Sequence, residues 1–194
     1  MKKVIFLILV VLGTTVHAQR KAGGWAIQAR YGLMEGKGQM NSFFGAFPEG
    51  QATSGQVGVN LLIGNKGLMA EANLFMNDYF VDTTNFNLPY RLYGLNALGG
   101  WSYEGFRKLY LNLKAGAFAG IERINDGNDR ENITGGKYRN SVAGLTYGII
   151  LNPELEIVLY RKLSLTISST QYWHPSNKWT RFQHSGDIGL KYYL

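Results

Sequence analysis

The chain has 194 residues, no cysteine and a formal charge of +7, with 20 Lys and Arg against 13 Asp and Glu. The missing thiol excludes a disulfide framework, a thiol nucleophile, a cysteine-rich metal site and an acylated lipoprotein N-terminus. The basic balance is mild and suits an anionic surface. No run of five like charges and no basic helix accompany it, so direct nucleic-acid binding is not expected.

Met1-Lys2-Lys3 precedes an apolar run from Val4 to Leu12, and Val16-His17-Ala18 precedes Gln19. A basic start, a short apolar core and a small-residue cleavage site predict a secretory signal peptide over residues 1–18. The run is too short to span a bilayer as a helix, which takes roughly 20 residues. Cleavage lowers the formal charge from +7 to +5. It leaves about 175 residues, 19–194, enough for one domain. Beyond the signal no apolar stretch could form a transmembrane helix, so a membrane crossing requires a closed barrel.

From residue 24 onward the sequence alternates with period two, the mark of strands. Residues 24–34 place Trp25, Ile27, Ala29, Tyr31 and Leu33 on one face and Gln28 and Arg30 on the other. Residues 53–64 oppose Val57, Val59, Leu61 and Ile63 to Gln56 and Asn60. Residues 67–79 oppose Leu68, Ala70, Leu74 and Met76 to Glu71, Asn73 and Asn77. Residues 90–103 set Tyr93, Leu95, Ala97 and Trp101 against Asn96 and Ser102. The clearest run, 107–122, alternates Leu109, Leu111, Leu113 and Ile121 with Tyr110, Asn112, Lys114 and Glu122. Residues 140–159 keep apolar side chains on odd positions and put Glu154 and Glu156 on the other face. Residues 163–172 and 182–194 repeat the pattern, the last with Ile188, Leu190, Tyr192 and Leu194 against Asp187, Gly189 and Lys191.

These are eight strands, each long enough for the roughly 9–11 residues of a tilted transmembrane strand. Their connections alternate. Long or medium segments at 35–52, 80–89, 123–137 and 173–181 interleave with tight turns at Asn65-Lys66-Gly67, Glu104-Gly105-Phe106 and Tyr160-Arg161-Lys162. That is the rhythm of an all-β, eight-stranded antiparallel up-and-down barrel of outer-membrane type, with short periplasmic turns and both termini periplasmic. Pro153 falls inside the sixth strand, where a bulge or a strand in two pieces is expected.

A soluble exported lipocalin-like barrel would share this topology with its apolar face inward. The apolar stripe here carries no charge, as a lipid-facing surface demands. The opposite face is mostly Gly, Ser, Asn and Thr, with the charges Arg30, Glu71, Lys114, Glu122, Glu154, Glu156, Asp187 and Lys191. Small residues suit a narrow barrel interior and mixed charges can pair there. Aromatic residues gather near strand ends: Trp25, Trp101, Tyr103 and Tyr192 at one, and Tyr31, Tyr79, Phe80, Tyr172, Trp173 and Phe182 at the other. Two interfacial girdles are expected from them.

Candidate chemistry is sparse. His174-Pro175-Ser176 and His184-Ser185, with Asp187, supply the residue types of a lipid-modifying enzyme near the outer rim, without a specific motif. Asp126, Asn128, Asp129 and Glu131 do not match the EF-hand spacing. Glu154 and Glu156 are paired carboxylates for which a salt-bridge network is the expectation. Neither cofactor, metal nor catalytic residue is expected, and a wide pore is not either. At the C-terminus, Asp187, Gly189, Tyr192 and Leu194 fit a polar-x-Gly-x-x-hydrophobic-x-hydrophobic pattern, which resembles the signal read by the barrel-assembly machinery.

The whole pattern resembles the TraO family of Bacteroidetes conjugative transposons. The likeness rests on Ala18-Gln19-Arg20, on Trp25 to Gly32, on Glu71 to Phe75 and on Leu113 to Glu122. It is strongest from Tyr147 onward, in Pro153-Glu154-Leu155-Glu156, Tyr160-Arg161-Lys162, Gln171-Tyr172-Trp173 and Phe182 to Lys191. Members often carry a Cys just after the cleavage site, where this chain has Arg20-Lys21. The resemblance implies a non-enzymatic outer-membrane component of a type IV secretion-like conjugation apparatus, in contact with outer-membrane lipid and other transfer proteins. The alternatives are an outer-membrane lipid-modifying enzyme and a soluble exported binding barrel.

Overall fold

The computed structural model describes residues 23–35, 52–64, 66–82, 87–106, 108–130, 135–138, 142–177 and 181–194. The signal segment and most of the 35–52 connection lie outside them. Eight strands follow in order: β1 (Trp25–Glu35), β2 (Thr53–Ile63), β3 (Leu68–Asp82), β4 (Asn87–Tyr103), β5 (Leu109–Ile124), β6 (Ala143–Tyr160), β7 (Leu163–Trp173) and β8 (Phe182–Tyr193). Each pairs antiparallel with its sequence neighbours, and β1 pairs with β8 from Ala26↔Tyr193 to Glu35↔His184. The sheet is a closed barrel, so no described strand is left as an open edge.

The strands lie where the alternation puts them, and the differences are at their ends. The β3–β4 hairpin continues to Asp82↔Asn87, and β5 runs on to Ile124. Part of what reads as loop at 80–89 is therefore ladder. Turn chemistry is as the sequence implies: Gly64 and Gly67, with φ of +68° and +74°, bracket the β2–β3 turn, where a side chain would be strained.

Pro153 does not break β6. It pairs with Leu113 of β5, and β6 is one strand of 18 residues. On the β7 side the pairing lapses between Leu151↔Gln171 and Glu154↔Ser168 and resumes in the same register. Proline lacks the N–H of a ladder bond, and it is the ladder to β7 that lapses beside it while the pairing with β5 continues. The register shift falls instead between Val158 and Tyr160, beside the tight turn. The expected bulge is thus at the strand's end, not at the proline.

Alternation separates two faces throughout. Gln28, Arg30, Asn73, Lys114, Glu154 and Lys191 are buried, while Ile27, Val57, Leu74, Leu95, Leu113 and Ile188 are exposed. The core is therefore polar at one end and the apolar surface is outside, the inverse of a soluble barrel.

Candidate functional site

At the short-turn end, three cations and three carboxylates fill the interior. Glu154 accepts from Lys114 Nζ at 2.7 Å, Lys191 Nζ at 2.8 Å and Arg30 at 3.4 Å. Glu71 pairs with Arg30 and, at 2.7 Å, with Lys114. Glu156 accepts from Lys191 at 2.9 Å and from the Tyr193 hydroxyl at 2.6 Å. Arg30, Lys114 and Lys191 thus balance Glu71, Glu154 and Glu156. Asn112, Asn60 and Asn73 donate into remaining carboxylate positions. Charges this deeply buried persist only when paired and hydrogen-bonded. The cluster leaves neither Glu154 nor Glu156 as a free acid or base.

The other two interior carboxylates stand apart. Asp187 accepts from Thr170 and Ser185, at 2.8 and 2.9 Å. Glu122, toward the long-loop end, accepts from the Tyr90 hydroxyl and the Asn177 amide, both at 2.7 Å. All eight charged residues singled out in the sequence are therefore inside, and six of them form one network.

Above the network an aromatic plug closes the lumen. Phe75, Phe118 and Tyr172 pack with centroids 5.7–5.9 Å apart, and Tyr79 lies 4.4 Å from Tyr90. Leu92, Ile124, Ile150 and Val142 belong to the same cluster. Two glycines make room for the rings. A Cβ on Gly94 would sit 2.8 Å from Phe75, and one on Gly148 would sit 2.6 Å from Phe118. Tyr79 and Tyr172 are thus interior, not members of the outer girdle. Their even spacing from Glu71 and Thr166 carries that information, which bunching at strand ends obscured.

Outside, the belt is apolar. Trp25, Trp101, Tyr103 and Tyr192 are exposed at the short-turn end, and Trp173 and Phe182 pair across β7 and β8 at the other. Aromatic rings at both ends of an aliphatic band match the interfacial positions of a membrane barrel. Charged pairs such as Arg91–Asp78 occur on the long-loop extensions of β3 and β4.

No family model matches the chain, and no curated protein does. Among solved structures it is similar to neisserial surface protein A, with a TM-score of 0.62, 9% identity and coverage of 90% of this chain and 100% of that one. It is similar too to Ail, the attachment invasion locus protein of Yersinia pestis, with a TM-score of 0.55, 10% identity and coverage of 90% and 100%. The fold is that of the eight-stranded outer-membrane barrels.

In this barrel the remaining candidates separate. His174, just past β7, is buried in the interior with its ring 4.7 Å from that of Phe118. Burial pushes its imidazole down to about 4. Ser176 contacts Tyr147 and Thr146, not His174. Ser185 and Asp187 point inward while His184, their neighbour, points outward. In the loop, Asp126 pairs with Arg91 at 2.8 Å and Asp129 with Lys137 at 3.0 Å. The Lys137 ammonium holds the Asp129 carboxyl below its ordinary value. Glu131 lies outside the described residues, and among those described no group of metal-ligating side chains is assembled. Of the C-terminal pattern, Asp187 and Gly189 face the interior and Tyr192 and Leu194 are exposed.

One residue escaped the sequence: Ser169. Its hydroxyl lies 2.8 Å from Nε2 of His184. The two are 15 positions apart, and only the β7–β8 register brings them together.

Proposed function

We propose that the chain resides in the outer membrane with both termini periplasmic, and that it serves there as a structural and interaction component of a conjugative DNA-transfer apparatus. The observation that carries the reading is the filled lumen inside an uncharged belt. A neutralised ion cluster and an aromatic plug occupy the described interior, so the barrel works through its rims and its outer surface. An exported lipocalin-like binding barrel is disfavoured by the same observation, because its ligand would need the space these side chains occupy. The likeness to the TraO family supports the transfer role. Loops at the long-loop rim and turns at the other would contact further transfer proteins, and the C-terminal residues Asp187, Gly189, Tyr192 and Leu194 would present the chain to the barrel-assembly machinery.

Membrane fractionation tests placement, with gel mobility compared with and without boiling in detergent. Outer-membrane recovery and a heat-dependent shift are expected. A deletion in the donor cell then tests the role: mating falls while outer-membrane integrity holds. A donor that mates normally without this protein overturns the transfer role and leaves the barrel standing.

A further inference from the structure

Ser169 and His184 meet on the outside of the barrel. The contact runs diagonally across a ladder that pairs Ser169 with Gly186 and Gln171 with His184. Both residues are half-buried. On the other side of β8, the register sets Glu35 of β1 directly across from His184. A serine hydroxyl and an imidazole at hydrogen-bond distance are the residue types of serine-dependent acyl transfer.

Depth supplies a second argument. Ser169 lies four residues before Trp173, and His184 two residues after Phe182, both aromatics being exposed and paired at the long-loop end. Interfacial rings sit at the headgroup level. The Ser–His pair sits inside them, in the long-loop half of the apolar band. The pair lies on an open strip of the outer surface that also carries Leu33, Pro153, Leu155, Ile167 and Gly186. Pro153 and Gly186 shape it: the ladder lapses at the proline, and the glycine leaves no side chain over Ser169's partner position.

We infer that Ser169 and His184 form an acyl-ester hydrolase site that faces the leaflet on the long-loop side and cleaves ester-linked acyl chains from its lipids. The inference rests on the membrane placement proposed above, not on the transfer role, and it departs from the expectation of a barrel without enzymatic activity. His184 Nε2 takes the proton of Ser169 Oγ as that oxygen bonds to the acyl carbon. The ester C–O bond breaks, and the imidazolium returns the proton to the leaving alkoxide. Water then attacks the acyl-serine with Nε2 as base. The Oγ–acyl bond breaks, Oγ regains the proton, and a free fatty acid departs. Gln171, whose amide is the one such group on the outward face of β7, is the donor assigned to the oxyanion.

The test uses the whole mature protein refolded into vesicles. One set carries a diacyl glycerophospholipid, and another a glucosamine-disaccharide lipid with ester-linked acyl chains. Fatty acid release is followed by mass spectrometry. Release from either lipid is expected, and the lipid consumed identifies the source of the ester. Ser169→Ala and His184→Ala should each lose at least about 100-fold while keeping the heat-dependent gel shift. Ser185→Ala, on the inward face, should remain active. A fluorophosphonate should label Ser169. Folded protein that releases no fatty acid from either lipid overturns the proposal and leaves the barrel intact, as does a fully active Ser169→Ala variant. Absence of the gel shift in the parent protein overturns the membrane placement and this site together. Normal turnover by Gln171→Ala would remove that amide from the site.

Discussion

Arg30 of β1 lies directly across from Gly189 of β8, and the Arg30 side chain occupies the space a Cβ on Gly189 would need. The same Cβ would come within 2.9 Å of Thr166 Oγ1. The strand that closes the barrel therefore yields room to the arginine that anchors the ion cluster. Gly189 belongs to the C-terminal pattern read as an assembly signal, so it carries a packing role besides. Gly189→Val is expected to destabilise the refolded barrel by about 1–3 kcal/mol, the usual cost of overpacking. Urea unfolding in detergent, with no assembly machinery present, measures it. Unchanged stability would show that the glycine matters only for recognition.

Glu154 touches three cations. Glu154→Gln strands positive charge in the interior and is expected to cost about 3–5 kcal/mol. The double variant Lys114→Met/Glu154→Gln leaves Arg30 with Glu71 and Lys191 with Glu156. It should cost clearly less than the two single changes added together, a coupling that equilibrium unfolding of all four proteins resolves. Simple additivity would mean the network is not one unit.

Leu95, 61% exposed at the middle of β4, faces the proposed lipid. Leu95→Arg should cost about 2–4 kcal/mol in vesicles. A soluble barrel would tolerate the same change, so a variant as stable as its parent in vesicles would count against the membrane belt.

His174 gives a pH dependence. Its folded value near 4 lies below the unfolded value of about 6.5. Above the unfolded value the imidazole is neutral in both states and its burial costs no ionisation. Between the two values the unfolded chain binds a proton that the folded chain refuses, so stability falls as pH drops from about 6.5 toward 4. His174→Gln should flatten this part of the profile relative to the parent. Unfolding free energies at pH 7 and pH 5 measure the difference. An equal decline in both proteins would place the pH sensitivity elsewhere.

The plug predicts electrical silence. In planar bilayers the protein should give no stepwise conductance, because Phe75, Phe118, Tyr172 and the ion cluster fill the lumen. Discrete open steps in the unmodified protein would show an interior that yields.

The eight strands and the sorting of their faces were determined by the sequence itself. Period-two alternation is a local property, and one chain of polar positions from Gln28 to Lys191 suffices to say which side chains share a face. Even the inward placement of Tyr79 and Tyr172 was present in that spacing, although their nearness to strand ends suggested a girdle. Three matters needed the closed barrel. The partners of each interior charge depend on which strands meet across the lumen, so Arg30 with Glu71 and Glu154 has no local signature. The accommodation of Pro153 depends on its neighbours, since a strand flanked on both sides can lose one ladder bond without a register shift. Ser169 with His184 depends on the β7–β8 register, because alternation fixes the face of a residue but never the rung opposite it. Side-chain direction follows from backbone geometry within one strand, whereas register is set by how turns, bulges and packing align two of them.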